Sequence, residues 1–239
     1  MGVEGGRMRT FLVVLAAGLL TAAPAGAASR NFGITGFTKI RVDGPFKVTV
    51  ATGVAPFAKA SGASAAALDR VAIDVRGDTL VIHSSQSSWG SYPGKDPGPV
   101  EVSVGTHELS NAWLNGAGSL AIDKVRGLSF ALSVQGAGAA EIGNVSADQM
   151  NVSVVGSGSA KLAGQAKKLT ALVRGIATLD AARLAAGDAT IGAEGAATID
   201  ADVRGDARVD ANGNAAIRLI GRPSCTLKVN GSTSVSGCR

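Results

Sequence analysis

The sequence predicts an all-β protein, a β-solenoid of 18–20 residues per coil with glycine-rich corners. Three observations carry that reading. Glycine supplies 33 of 239 residues while aromatic residues make up only 4%, so the chain turns often around an interior with little room for rings. Glycines 116, 136, 156, 175, 195, 213 and 231 recur at intervals of 20, 20, 19, 20, 18 and 18 residues. Ahead of each of them apolar and polar residues alternate, the period of a strand with one buried face. The hydrophobic share, 46%, excludes a disordered chain. A β-sandwich would place its turns every 8 to 12 residues without a fixed glycine column, so stacked coils fit better.

Taken in order, the chain opens on a targeting segment. Arg7 and Arg9 precede the apolar run Phe11 to Leu20, about half of the ~20 residues that a membrane-spanning helix needs. Ala25-Gly26-Ala27 supplies a small-x-small cleavage site, so residues 1–27 read as a secretory signal peptide and 28–239 as the mature, soluble single domain. Phe37 to Val50 alternates around Gly44, and a helical turn is expected near Ser64 to Leu68. Val71 to Val75 and Leu80 to Ile82 flank Gly77-Asp78 as a hairpin. The stretch 84–99, SSQSSWGSYPGKDPGP, is rich in Ser, Pro and Gly and reads as a loop. Val100 to Val104 resumes the strand pattern.

From Gly116 onward the units share one frame. Two residues before the anchors stand Leu114, Val134, Val154, Val173, Ala193, Ala211 and Val229; four residues after them stand Leu120, Ala140, Ala160, Leu179, Ile199, Ile217 and Val235. Each glycine thus bends one strand into the next, and Val125, Val145 and Leu184, nine positions past their anchors, suggest a third short side. One such unit cannot bury its apolar face alone, whereas stacking at ~4.8 Å closes a continuous core; seven coils make a rod about 34 Å long. The residues just before the anchors, Asn115, Gln135, Val155, Arg174, Glu194, Asn212 and Asn230, point outward.

Cys225 and Cys238 are the only two cysteines. An exported chain meets an oxidising compartment, so they are expected to pair as a clasp on the C-terminal end. The formal net charge of +5 is small for 239 residues, and Lys167-Lys168 is the only adjacent lysine pair. No basic run is interleaved with aromatics, which excludes a nucleic-acid groove.

The opening Gly36 to Gly44, the hairpin over Val71 to Ile82 and the bends Gly116-Ala-Gly118, Gly136-Ala-Gly138 and Gly156-Ser-Gly158 resemble the head GIN domain family (DUF2807), the auto-transporter adhesin class, over about residues 36 to 237. The resemblance implies an exported bacterial protein with a β-helix-like fold and no established activity, and carries over no catalytic residues. From Gly175 onward the second glycine of the bend is replaced by Ala177, Ala197 and Ala215, a small departure.

The chemistry available is sparse. A Ser-His-Asp hydrolase needs a histidine between nucleophile and acid, and only His83 and His107 exist, neither near a Gly-x-Ser-x-Gly elbow. They read as surface polar residues. Asp180, Asp188, Asp200, Asp202, Asp206 and Asp210 cluster near Arg204 and Arg208; alternating surface charge explains them more simply than calcium, whose nonapeptide motif is missing. Arg76-Gly77-Asp78 and Arg204-Gly205-Asp206 spell an adhesion tripeptide, yet Gly-Asp is also a common turn. No metal, cofactor or catalytic residue is expected. The informative residues are Trp89 and Tyr92 in the polar loop, with Trp113 at an outward position beside Asn115, because aromatic faces stack on sugar rings or anchor protein contacts.

The reading is an exported, non-enzymatic binding or adhesion module of the bacterial envelope, periplasmic or at the cell surface, with a glycan or cell-surface protein as partner. A polysaccharide-active enzyme using the Asp180 to Asp210 region, or a purely structural envelope protein, is the alternative. Unprotected strand edges would also permit self-association.

Overall fold

The computed structural model describes residues 2, 28–85 and 98–239. The expected signal segment and all but the ends of the 84–99 loop, Trp89 and Tyr92 included, lie outside the described residues. Every strand belongs to one 17-stranded sheet that winds into a β-solenoid of about six turns.

The N-terminal part contains β1 (Ala28–Phe32), β2 (Lys39–Asp43), β3 (Lys47–Thr52), β4 (Phe57–Gly62), the helical turn α1 (Ala65–Leu68), β5 (Val71–Arg76), β6 (Thr79–Ser84) and β7 (Val100–Thr106). Next come β8 (Asn111–Gly116), β9 (Ser119–Gly136), β10 (Ala139–Gly156), β11 (Ser159–Gly175) and β12 (Thr178–Gly195). The last four of these each run nearly a full turn. The rod closes with β13 (Thr198–Val203), β14 (Asp206–Gly213), β15 (Ala216–Ile220), β16 (Ser224–Gly231) and β17 (Ser234–Ser236).

From β9 to β12 each turn can be divided into three sides, and the later turns are traced by two strands each. The first ends on an anchor glycine, the second follows the bend, and the third returns the chain to the next turn. On the first side Leu114, Val134, Val154, Val173, Ala193, Ala211 and Val229 stand in parallel register as one inward column. Val134, Val154 and Val173 are fully buried; burying such a side chain is worth roughly 1.5–3 kcal/mol, so each added turn stabilises its neighbour. Val125 and Val145 pair on the third side and are buried, as their spacing predicts.

The corner requires glycine for two reasons. Gly156 has φ +110°, and a Cβ there would stand 2.6 Å from the Gly136 carbonyl oxygen of the turn below. That same oxygen accepts a hydrogen bond from Ser157 N at 2.9 Å. The corners therefore stack backbone on backbone, which only a residue without a side chain allows.

The departure of the N-terminal third from the strict period is an interruption of a turn. β2 runs parallel to β8 and β3 parallel to the start of β9. Between them Gly44, at φ +127°, donates its N–H to the Asn115 carbonyl at 2.9 Å. Gly44 is thus a further member of the glycine column, separated from Gly116 by an insertion that folds back as a cap. In that cap β6 pairs parallel with β2, β5 closes an antiparallel hairpin on β6, and β4 lies antiparallel between β7 and β1. The turn α1 buries Ala67 and Leu68 at this end, and Ser64 caps it by accepting from Ala67 N at 3.2 Å. Strands β1 and β4 are additions to the sequence reading, since neither carries a clean alternation of large apolar residues.

At the other end Cys225 and Cys238 form a disulfide across 13 residues with Cα atoms 5.7 Å apart. Here Leu227 and Val229 are 47% and 39% exposed, although the register partners Val209 and Ala211 one turn below are fully buried.

Unequal turn lengths are absorbed at the two ends of the third side: the offset between β12 and the next turn also changes by one residue between the pairs Ala186–Val203 and Ala189–Ala207. The other shifts fall between Ile142 and Val145, Lys161 and Ala163, and Ala181 and Ala185, where the second side passes into the third.

Candidate ligand-binding face

The outward side chains of the first side form a flat face, and its N-terminal half carries the one expected aromatic that lies among the described residues. Trp113 is half-buried on β8, in register between Arg41 of β2 and Ser133 of β9. On one flank of this row, Asp43, Asn115 and Gln135 stand on the same three strands. On the other flank Lys39, Asn111, Ala131 and Asn151 stand on β2, β8, β9 and β10. Two open hollows overlap here. One is lined by Arg41, Asp43, Thr79, Trp113, Asn115 and Gln135, the other by Arg41, Asp43, Arg76, Thr79, Val81 and His83.

The polar groups of this face are held by one another. Arg41 Nε lies 2.9 Å from one Asp43 carboxylate oxygen, and Asn115 donates its side-chain N–H to the other at 2.6 Å. Lys39 and Asp78 form an ion pair at 3.0 Å, and the hydrogen bond from Lys39 holds the Asp78 carboxyl below its ordinary pKa of 3.8. His83 Nε2 lies 3.0 Å from Asp74 Oδ2, while its Nδ1 lies 3.0 Å from the Ser84 carbonyl oxygen. Its two ring nitrogens thus face a carboxylate and a backbone carbonyl rather than, among the described residues, a nucleophile. His107 is exposed in the turn after β7.

The aspartates of the later turns pair across the strand spacing. Arg218 Nε donates to Asp200 at 2.7 Å, and Lys228 Nζ donates to Asp210 at 3.3 Å, each from the turn above. The hydrogen bond and charge of Asp200, with the charge of Asp180 one turn further, raise the proton affinity of the Arg218 guanidinium. Arg204 lies 3.6 Å from Asp202, and Asp188 accepts from Asp206 N at 2.9 Å. The expected pairing of neighbouring charges is therefore found, with partners drawn mainly from adjacent turns. Among the described residues no three His, Cys, Asp or Glu side chains stand together as a metal site.

Neither Arg-Gly-Asp tripeptide stands free. Gly77 and Asp78 form the tip between β5 and β6, where the Asp78 carboxylate is engaged by Lys39; Arg204 and Gly205 donate their backbone N–H groups to Ala186 and Gly187. A separate hollow on the third side is lined by Ser146, Asp148, Gln165, Lys167 and Arg204 among others, with Lys167 and Asp148 paired at 2.8 Å.

Sequence reasoning placed Trp113, Asn115 and Gln135 outward but gave them no neighbours on the N-terminal side. Arg41 and Asp43 were missed as parts of the face. The signal was present: Arg41 precedes Gly44 by the same three residues that separate Trp113 from Gly116. Aligning those two glycines brings arginine and tryptophan together.

Comparison with known proteins gives a consistent picture. A family model described as "Putative auto-transporter adhesin, head GIN domain" (DUF2807) matches residues 36–223. No curated protein matches the chain significantly. Among solved structures, a "putative adhesin" from Bacteroides fragilis is 16% identical, superposes with a TM-score of 0.76, and covers 89% of this chain and 96% of its own. A "putative lipid binding protein" from Parabacteroides distasonis is 19% identical with a TM-score of 0.67, covering 87% and 95%. A "putative adhesin" from Parabacteroides merdae is 16% identical with a TM-score of 0.62, again covering 87% and 95%. At these identities the likeness is one of fold.

Proposed function

We propose a function that proceeds from one fact, that the chain belongs to the DUF2807 family of head GIN domains: it is an exported, non-catalytic binding module of the bacterial envelope. The single observation that carries this reading is the Trp113 face. A half-buried indole lies on a flat, rigid sheet surface whose neighbouring charges are already matched, as in Arg41 with Asp43 and Asn115. Such a surface offers shape, hydrogen bonds and an aromatic plane, which suit capture better than chemistry. Export is supported by the Arg7 to Ala27 segment of the sequence and by the Cys225–Cys238 disulfide. Among the described residues no helix is long and apolar enough to cross a membrane.

The test is to incubate the purified protein with immobilised bacterial and host glycans and with isolated envelope proteins. Retention and release of reducing ends are recorded in the same wells. Retention without release is expected. Release of reducing ends would overturn the non-catalytic reading in favour of a polysaccharide-active enzyme. Absence of retention on every surface would overturn the binding reading and leave a structural role.

A further inference from the structure

We propose that the Trp113 face binds a neutral, extended β-linked glycan that lies along the solenoid axis, across the strands, with one pyranose ring stacked on the Trp113 indole. This deepens the binding-module reading and rests on it. Three features of the face argue for that ligand.

The first is the plane. Trp113 stands between Arg41 on one side and the small Ser133 and then Ser153 on successive strands. On that side the neighbours of Trp113 are small, so a ring can approach the indole without displacing a large side chain. The apolar face of a pyranose, with its axial C–H groups, is complementary to an aromatic surface.

The second is the charge. The cations along the two hollows are matched by an anion within the protein: Arg41 by Asp43 at 2.9 Å and Lys39 by Asp78 at 3.0 Å, with Arg76 3.9 Å from Asp74. An anionic ligand would have to compete with those carboxylates and would gain little. A neutral polyol meets instead a set of donors and acceptors already grouped around Asp43, which accepts from Arg41 and from the Asn115 amide. Arg41, Asp43, Asn115, Gln135 and Thr79 supply both kinds of group around the ring.

The third is the repeat. Strands of a sheet are ~4.8 Å apart, close to the axial length of one sugar in an extended β-linked chain. A row of polar side chains on this face recurs at that interval: Asp43, Asn115 and Gln135. Over those three strands a glycan running up the rod therefore meets a hydrogen-bonding group at each sugar, whereas one lying along a strand meets an outward residue only at every second position, about 6.6 Å apart.

The experiment uses tryptophan fluorescence. The chain has two tryptophans, Trp89 and Trp113, so Trp89→Phe leaves Trp113 as the sole reporter. That protein is titrated with neutral β-1,4-linked oligomers of glucose and of N-acetylglucosamine, two to six units long, and with uronic-acid oligomers of the same lengths. The expected result is quenching or a blue shift with at least one neutral series, with affinity rising with length up to about four units, one for each of β6, β2, β8 and β9. In the otherwise wild-type chain, calorimetric affinity should fall about tenfold in Trp113→Ala and be largely kept in Trp113→Tyr, which retains a ring. Unchanged thermal melting shows that each variant is folded. Tighter binding of the uronic acids, or neutral binding that Trp113→Ala leaves unchanged, would overturn the proposal. If no oligomer binds while the protein is still retained on envelope proteins, the glycan proposal falls and the binding-module reading stands. Failure of both sinks both.

Discussion

The two ends of the solenoid are finished by different means. At the N-terminal end the chain leaves the rod after β3 and returns through β4, α1, β5, β6 and β7, so the first complete turn is covered by further strands and Leu68 is buried. At the C-terminal end no such detour exists, and the last turn is held by the Cys225–Cys238 bond while Leu227 and Val229 are partly open. The difference teaches that a stacked-turn protein must solve its ends separately from its middle. Interior turns gain their stability from two neighbours, and terminal turns have one. Non-covalent capping buries apolar residues such as Leu68 at that end. A cross-link leaves the other end wetter and acts mainly by restricting the unfolded chain.

The comparison can be broken most severely from the middle, where neither end device helps. Gly156→Ala places a Cβ 2.6 Å from the Gly136 oxygen at a φ of +110°. The expected cost is about 4 kcal/mol, combining backbone strain and overpacking, read by urea denaturation. Gly77→Ala serves as the control, because nothing stands within 4 Å of its Cβ at φ +64°; only about 1 kcal/mol should be lost there. Equal losses would show that stacking of corners is not the constraint.

Replacing both Cys225 and Cys238 by Ser should cost about 3 kcal/mol. By hydrogen exchange the loss should be confined to β16, β17 and the turn beneath them, with β2 and β3 unchanged. Uniform loss along the rod would mean that the ends are coupled. A smaller effect is expected from Ser64→Ala, which removes the cap on Ala67 N and should cost about 1 kcal/mol, with faster exchange limited to α1, β4 and β1.

The smallest effect concerns acid. The Asp78 carboxyl is held below 3.8 by Lys39, so its folded pKa is lower than its unfolded one. The stability it contributes is present above pH 3.8 and is lost as pH falls through the folded value. Acidification should therefore loosen the β5–β6 tip from β2, and Asp78→Asn should abolish that dependence. Backbone amide shifts of Thr38 and Lys39, which donate to the Asp78 carbonyl at 2.9 and 3.1 Å, report it.

Much of the rod was legible because its physics repeats. Seven glycines under one steric rule, with Leu114 to Val229 in a single column, leave a period that a reader can count. The hairpin at Gly77-Asp78 and the turn at Ser64 were equally local and equally visible. The cap was harder, since β1 and β4 form through antiparallel pairing between distant segments, and Ala58 and Ala60 bury too little to advertise a strand. The ligand face was half legible. Trp113 and Asn115 stood out within the repeat, whereas Arg41 and Asp43 belong to a turn that the insertion separates from it. Non-local register, which single-sequence periodicity does not encode, brings those four together.

The confinement of the register changes to the two ends of the third side has a further consequence. Two sides of the rod keep a fixed length from turn to turn, and the third works as slack. A turn can thus gain or lose a residue along the third side without disturbing the corner column or the Trp113 face. The molecule is in effect a modular ruler whose reach can be set by the number of turns, with evolution or an engineer adding whole cassettes between Gly136 and Gly195 and trimming the misfit where it does no harm.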